Sequence, residues 1–247
     1  GRSMECENIC VLGIGSIGSG VTKLILDKLP HPSSIILCDL PGNMRKMEKL
    51  KNELRSYLGY EGEIRLSYSD GPRLPDEVYN SSLIIGATNA PDVLEVERLL
   101  PGTLIIDDSG PHCFNSKSAQ KRILTRGDIL ATEGGVLEVS GTITNKLYIP
   151  DGIDDSILSR YHSHFTSEKL ITGCILSSLL TASELGINPS IGEIDNKDSI
   201  CNFHKLKKLG YRGADLHFDD FQVPETRIKT FKAIHAVFGA CVKSDKR

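Results

Sequence analysis

The segment Gly13-Ile14-Gly15-Ser16-Ile17-Gly18 constrains this chain more than any other. Its three glycines follow a short aliphatic run, Ile9-Cys10-Val11-Leu12, and open a stretch of helical periodicity from about Ser16 to Leu29. There Ile17, Val21, Leu24, Ile25 and Leu29 recur at three- and four-residue spacing. Between a strand and a helix each glycine has its own task. Gly13 permits a tight turn, Gly15 lets backbone approach a pyrophosphate, and Gly18 lets the helix pack close to the strand. The first helical turn, carrying Ser16 and Ile17, offers N–H groups and a positive dipole end to phosphates. The pattern therefore points to a dinucleotide.

The rest of the first half fits that fold. Ser34 to Cys38 is a second strand ending at Asp39, and Asn43 to Leu58 reads as an exposed helix closed by Gly59. Further strands are expected over 64–68, 82–87, 104–107 and 128–131, with a helix from Pro91 to Leu100. Such unbroken aliphatic runs suit strands covered on both faces. The fold class is α/β: a Rossmann-type doubly wound parallel sheet over residues 4–150, then a smaller helical C-terminal region over 151–247. Gly1-Arg2-Ser3 before Met4 reads as a cloning remnant.

Asp39 lies 21 residues after Gly18, where a carboxylate can accept both ribose hydroxyls and repel a 2′-phosphate, which favours NAD over NADP. Arg45 and Lys46 soften that preference, and Asp39 also suits a helix-capping turn. Thr88 and Asn89 follow the fourth strand, at the edge where ligands bind in such sheets. They are candidate contacts to the nicotinamide half, or a cap before Pro91. Asp107-Asp108-Ser109-Gly110-Pro111-His112 and Glu133-Gly134-Gly135 follow strands at the same edge and read as a site wall.

Composition narrows the function class. With 29 basic against 32 acidic side chains, net charge −3, the chain lacks the cationic excess of a dedicated nucleic-acid binder. No apolar run approaches the roughly 20 residues of a membrane-spanning helix. Seven cysteines without a CxxC pair argue against a disulfide scaffold or a structural zinc site, so no metal is expected and a reducing cytoplasm is.

Beyond Pro150-Asp151-Gly152 three helices are expected, over 167–185, 196–209 and 224–242, with Gly186 and Gly210 as caps of the first two and Pro224 opening the third. On the first, Ile171, Ile175, Leu179 and Ala182 read as a core stripe, beside a small-residue face of Cys174, Ser177, Ser178 and Thr181. That face suits close helix packing, or room for a substrate beside a thiol.

The glycine loop, Leu104-Ile105-Ile106-Asp107-Asp108 with Pro111, Gly134-Gly135-Val136-Leu137-Glu138 and the helix around Gly173-Cys174-Ile175-Leu176-Ser177 occur in the order found in cyanobacterial long-chain acyl-(acyl carrier protein) reductases. The chain resembles that aldehyde-forming family over most of its length. The resemblance implies that Cys174 is acylated by an acyl thioester and that a nicotinamide hydride releases an aldehyde. His112, His162 and His164 are candidates to assist the thiol. Two features depart from the family. It carries an N-terminal substrate region before the glycine loop, and it uses NADPH, whereas Asp39 favours NAD. Either the acyl group is smaller or differently presented here, or the sequence is part of a longer protein.

The sequence expectation is thus an NAD(H)- or NADP(H)-dependent oxidoreductase, with a homodimer as one assembly open to it and an acyl thioester substrate presented on an acyl carrier protein or coenzyme A. Lys205, Lys207, Lys208 and Arg212 form a basic patch that suits either a docking acidic carrier or a solvated helix end. Two alternatives stand beside it: a dehydrogenase of a small carbonyl or imine with no covalent intermediate, and a non-catalytic nicotinamide-binding regulatory protein.

Overall fold

The computed structural model describes residues 3–144, 151–152, 168–183, 187–189, 192–193 and 195–238. In chain order, β1 (Asn8–Leu12), α1 (Ser16–Lys28), β2 (Ser34–Asp39), α2 (Met44–Ser56), β3 (Glu63–Tyr68), β4 (Leu83–Gly86), β5 (Thr103–Asp107), α3 (Ser116–Thr125) and β6 (Ile129–Glu133) form the first part. Their strands make one six-stranded sheet of order β3-β2-β1-β4-β5-β6, with every neighbouring pair parallel. This is the doubly wound Rossmann order, which reverses beside β1 and opens a crevice at the carboxyl ends of β1 and β4.

Alternation along the strands explains the two covered faces. Ile9 and Val11 of β1 point to one side and pack with Leu26 of α1 and Met47, Leu50 and Leu54 of α2. Cys10 and Leu12 point to the other, where Val96, Leu99, Ala119, Ile123 and Phe231 close the second core. Each fully buried aliphatic side chain contributes about 1.5–3 kcal/mol.

Then come β7 (Val136–Glu138), β8 (Leu170–Thr172), α4 (Gly173–Ala182), α5 (Asn196–Lys208), β9 (Arg212–Gly213), β10 (His217–Phe218), β11 (Phe221–Gln222) and α6 (Glu225–Phe238). Two compact units result: Gly1–Gly134 with Gly192–Asn196 and Leu216–Arg247, and Gly135–Ile191 with Lys197–Asp215. The second holds a three-stranded antiparallel sheet of order β8-β7-β9 and a core of Ile171, Leu176, Leu180 and Ile187. Among the described residues no helix is long and apolar enough to cross a membrane.

Several elements differ from the sequence expectation. The units part at Gly134, not near 150, because β7 pairs with β8 and β9 rather than with the parallel sheet. The third expected helix, α6, belongs to the sheet unit, where Phe231 is 4% exposed in its core. The helix expected over 167–185 spans only Gly173–Ala182, since Leu170–Thr172 pairs as a strand. Its buried residues are Leu176 and Leu180, while Ile175 and Leu179 are exposed, so the expected core stripe is rotated.

Residues 91–100 are not an α-helix; they contain a 3-10 turn at Val96–Arg98. The backbone here bonds elsewhere: Asp92 N–H donates to His112 O and Leu94 N–H to Cys113 O. Arg122 of α3, 3% exposed, donates to the carbonyls of Val96 (2.5 Å) and Leu99 (2.8 Å) and pairs through two nitrogens with Asp128 (2.9 and 3.0 Å). Truncating one partner of a buried ion pair strands the other. Arg122→Leu is therefore expected to lower unfolding free energy by about 3 kcal/mol in urea titrations, and a loss below about 1 kcal/mol would contradict this account of the segment.

Candidate functional site

The turn from β1 into α1 is built by close backbone approach. Gly13 has φ +89°, and a Cβ on it would lie 2.3 Å from the Ala87 carbonyl oxygen at the end of β4. A Cβ on Gly18 would lie 2.0 Å from Gly13 O. Gly15 differs: its Cβ would meet nothing within 4 Å. Its lack of a side chain is thus not required by packing within the protein, which is what a backbone surface reserved for a ligand demands. Gly15 is also the N-cap of α1 and supplies no side-chain hydrogen bond to the first turn. Ser16 and Ile17 stand in that turn, with Ile17 45% exposed. These residues fit a pyrophosphate.

Asp39, at the end of β2, is half-buried. Its Oδ2 accepts the Ile14 N–H at 2.7 Å, and its Oδ1 accepts the Leu40 N–H at 2.7 Å and the Asn43 side-chain amide at 2.9 Å. Asp39 thus holds the turn, although the following helix has Asn43 as its N-cap with no side-chain cap bond, and a carboxylate has about four acceptor positions. It braces the glycine loop and the following turn and keeps acceptor capacity for ribose hydroxyls. Thr88 donates its N–H to Ser109 Oγ (3.1 Å), and its Oγ1 accepts the Ala90 N–H (3.2 Å). Asn89 is exposed beside it. The structure thus brings Gly13, Gly15, Ser16, Ile17, Gly18, Asp39, Thr88 and Asn89 to the carboxyl edge of β1, β2 and β4.

The wall expected after β5 and β6 is a cluster of charges around one ring. His112 Nδ1 donates to Asp107 Oδ2 at 3.0 Å, and Nε2 faces Glu133 Oε1 at 3.3 Å and Asp219 Oδ1 at 3.4 Å. Phe114 stacks on the imidazole, with centroids 5.2 Å apart and planes 19° apart. The Asp107 side chain is fully buried and also accepts the N–H groups of Ser109 and Cys113. Gly86 leaves room for it, since a Cβ there would lie 2.1 Å from Asp107 Oδ1. Hydrogen bonding to Asp107 and then to Glu133 pushes the His112 imidazole up to about 10. Burial alone would raise the Asp107 carboxyl, but hydrogen bonds from His112, Ser109 and Cys113 outweigh it and hold the group low. Both nitrogens of His112 face carboxylates, which favours the doubly protonated ring, and Nε2 offers a lone pair only once its proton is displaced.

Sequence reasoning missed Asp219, in the turn between β10 and β11. Its φ of +46° was not legible, although the Asp219-Asp220 pair between short apolar runs was a turn signal. Cys174 is exposed in the first turn of α4. Beside it, within the second unit, lies a cavity of about 420 Å³ lined by Gly173, Leu137, Leu176, Leu180, Ile187 and Leu206 among others. Ser177 and Ser178, which also line it, are exposed and donate to the Cys174 carbonyl. Among the buried cysteines, burial holds the Cys38 thiol at about 12 and pushes Cys10 and Cys113 up as well. In the basic patch, Arg212 is tied to Glu138 at 2.6 Å. His162, His164 and Gly186 lie outside the described residues.

No family model and no curated protein matches the sequence. Solved structures overlap it in part. Thermococcus litoralis Δ1-pyrroline-2-carboxylate reductase, in complex with NADH and L-proline, is 19% identical over 43% of this chain and 30% of that one, with a TM-score of 0.34. Haloferax mediterranei glucose dehydrogenase, in complex with NADP, Zn and gluconolactone, is 14% identical over 54% and 37%, at 0.37. Eimeria maxima lactate dehydrogenase, with NADH and oxamate, is 13% identical over 82% and 65%, at 0.38. The chain spans about a third of the length of the first two.

The asymmetry among the glycines gives a direct check. Gly15→Ala is expected to leave thermal unfolding within about 1 kcal/mol of the parent yet weaken NADH or NADPH binding at least tenfold by fluorescence titration. Gly18→Ala should destabilise the fold itself. Equal cofactor affinity in Gly15→Ala and the parent would rule out pyrophosphate at this turn.

Proposed function

We propose that this chain is a nicotinamide-dinucleotide-dependent reductase that converts an acyl thioester, on an acyl carrier protein or coenzyme A, into an aldehyde through Cys174. The observation that carries the dinucleotide part is the cradle at the β1–α1 turn, closed at Gly13 and Gly18 and open at Gly15. Gly13, Gly15 and the first turn of α1 would hold the pyrophosphate, Asp39 the adenosine ribose, and Thr88 and Asn89 the nicotinamide half.

Three features support the thioester part: the resemblance in motif order, the exposure of Cys174, and the apolar cavity beside Gly173. Cys174 stands at the helix end where negative charge is favoured. Its Sγ attacks the thioester carbonyl, a new C–S bond forms, and the carrier thiol leaves with the proton. Leu137, Leu176, Leu180 and Ile187 offer the acyl chain an apolar lining. A reduced nicotinamide, when bound, would supply the hydride for reduction of the acyl group to aldehyde, with Cys174 leaving as thiolate and regaining its proton from solvent.

A second reading is the reduction of a small carbonyl or imine with no covalent intermediate. It is favoured by the absence, among the described residues, of any hydrogen bond to the Cys174 thiol. Cys174→Ser separates the two. After incubation with acyl-coenzyme A thioesters of several lengths, intact mass should show one acyl adduct on the parent and none on the variant. Reductase turnover should fall by at least about a thousandfold. Retained turnover in Cys174→Ser would transfer the proposal to the second reading, and cofactor binding without turnover of any substrate would leave a regulatory protein.

A further inference from the structure

His112, Glu133 and Asp219 come from three separate segments of the sheet unit, and each presents one ligand atom within 4.8 Å of the others. The distances from His112 Nε2 to Glu133 Oε1 and Asp219 Oδ1, 3.3 and 3.4 Å, are long for hydrogen bonds between charged groups, which are usually about 2.7–2.9 Å. A single N–H shared between oxygens on two residues is also poorly aligned with each, which weakens both contacts. Donor atoms about 2.0–2.2 Å from a shared divalent cation, at tetrahedral or octahedral angles, stand roughly 3.0–3.5 Å apart. The two spacings from His112 Nε2 fall in that range, and the third pair lies within 4.8 Å.

The surroundings complete the argument. The other ring nitrogen is already engaged by Asp107, whose side chain is 0% exposed. A buried carboxylate accepting Nδ1–H is the usual partner of a metal-ligating histidine, because it fixes both the tautomer and the ring orientation. Phe114 stacks on the ring and limits its rotation. Asp107, Glu133 and Asp219 set three carboxylates around one imidazole, an excess of negative charge. His217 Nε2 faces the other Glu133 oxygen at 3.8 Å.

We propose that His112, Glu133 and Asp219 form a divalent-cation site of the zinc or manganese class, with Asp107 orienting His112. The Asp219 side chain is 56% exposed, so the cation stays open on that side to water or to a carbonyl or phosphate oxygen. The site rests on this geometry alone and stands whether or not the chain reduces a thioester.

The test uses the full chain, stripped with EDTA, dialysed and titrated with MnCl₂ while the EPR signal of free Mn²⁺ is followed. Manganese is the probe because it prefers nitrogen and oxygen donors to the exposed thiols of Cys174 and Cys201. One ion per chain is expected. Glu133→Gln and Asp219→Asn should each weaken binding at least tenfold, and Asp107→Asn by about 10–100-fold through loss of orientation. Asp219→Asn is the decisive variant, since asparagine tolerates the positive φ at this exposed turn, and its thermal unfolding should match the parent. No saturable Mn²⁺ binding below about 1 mM by the parent, or unchanged affinity in Asp219→Asn, would overturn the site.

Discussion

The close approach of backbone to backbone at the β1–α1 turn sets the terms for the sheet edge. Gly13 and Gly18 touch the Ala87 carbonyl and each other's chain at distances no side chain survives. Because Gly13 N–H also donates to Cys38 O and Ala87 N–H to Leu12 O, the turn is locked to β2 on one side and β4 on the other. Asp39 adds the bond to Ile14 N–H that fixes the loop between them. The consequence is a rigid rim whose one undecorated position, Gly15, faces open space. Rigidity matters here because N–H groups held in place lose little freedom when an anion arrives.

The sheet was legible in the sequence because its strands are buried on both sides and therefore read as unbroken aliphatic runs such as Ile35-Ile36-Leu37 and Leu83-Ile84-Ile85. Helix α1 was legible through its spacing, but its buried residues are Gly18, Thr22 and Leu26, while Ile17 and Leu29 of the expected face are exposed. Helix α2 was legible through its closing Gly59, but it is not simply exposed: Met47, Leu50 and Leu54 are buried. The segment 91–100 was not legible, because Leu94, Val96 and Leu99 carry a helical spacing while their backbone is claimed by residues 112–113 and by Arg122. A buried arginine in α3 leaves no mark in local periodicity. The second unit was misjudged for a related reason. The apolar run Leu170-Ile171-Thr172 continues straight into α4, and only pairing with β7 reveals that it is a strand.

The same contrast holds at the site. Its glycines, Asp39, Thr88 and Asn89 lie at fixed offsets from strand ends, so a linear reading finds them. The group around His112 depends on a hairpin that returns from far along the chain to place Asp219 beside Glu133, whose Oε1 accepts the Asp219 N–H at 2.8 Å. That group changes the meaning of His112. A lone histidine beside a nicotinamide suggests a base, but an imidazole held between a buried carboxylate and two others is a cation or a cation's ligand.

The central claim is that a dinucleotide lies across the amino end of α1. Hydrogen exchange read by mass spectrometry, with and without saturating NADH or NADPH, tests it without any substitution. The account predicts slowed exchange confined to peptides covering residues 13–19, 39–40 and 87–90. Unchanged exchange across 13–19 under conditions where the nucleotide is bound, or protection appearing only elsewhere, would contradict it.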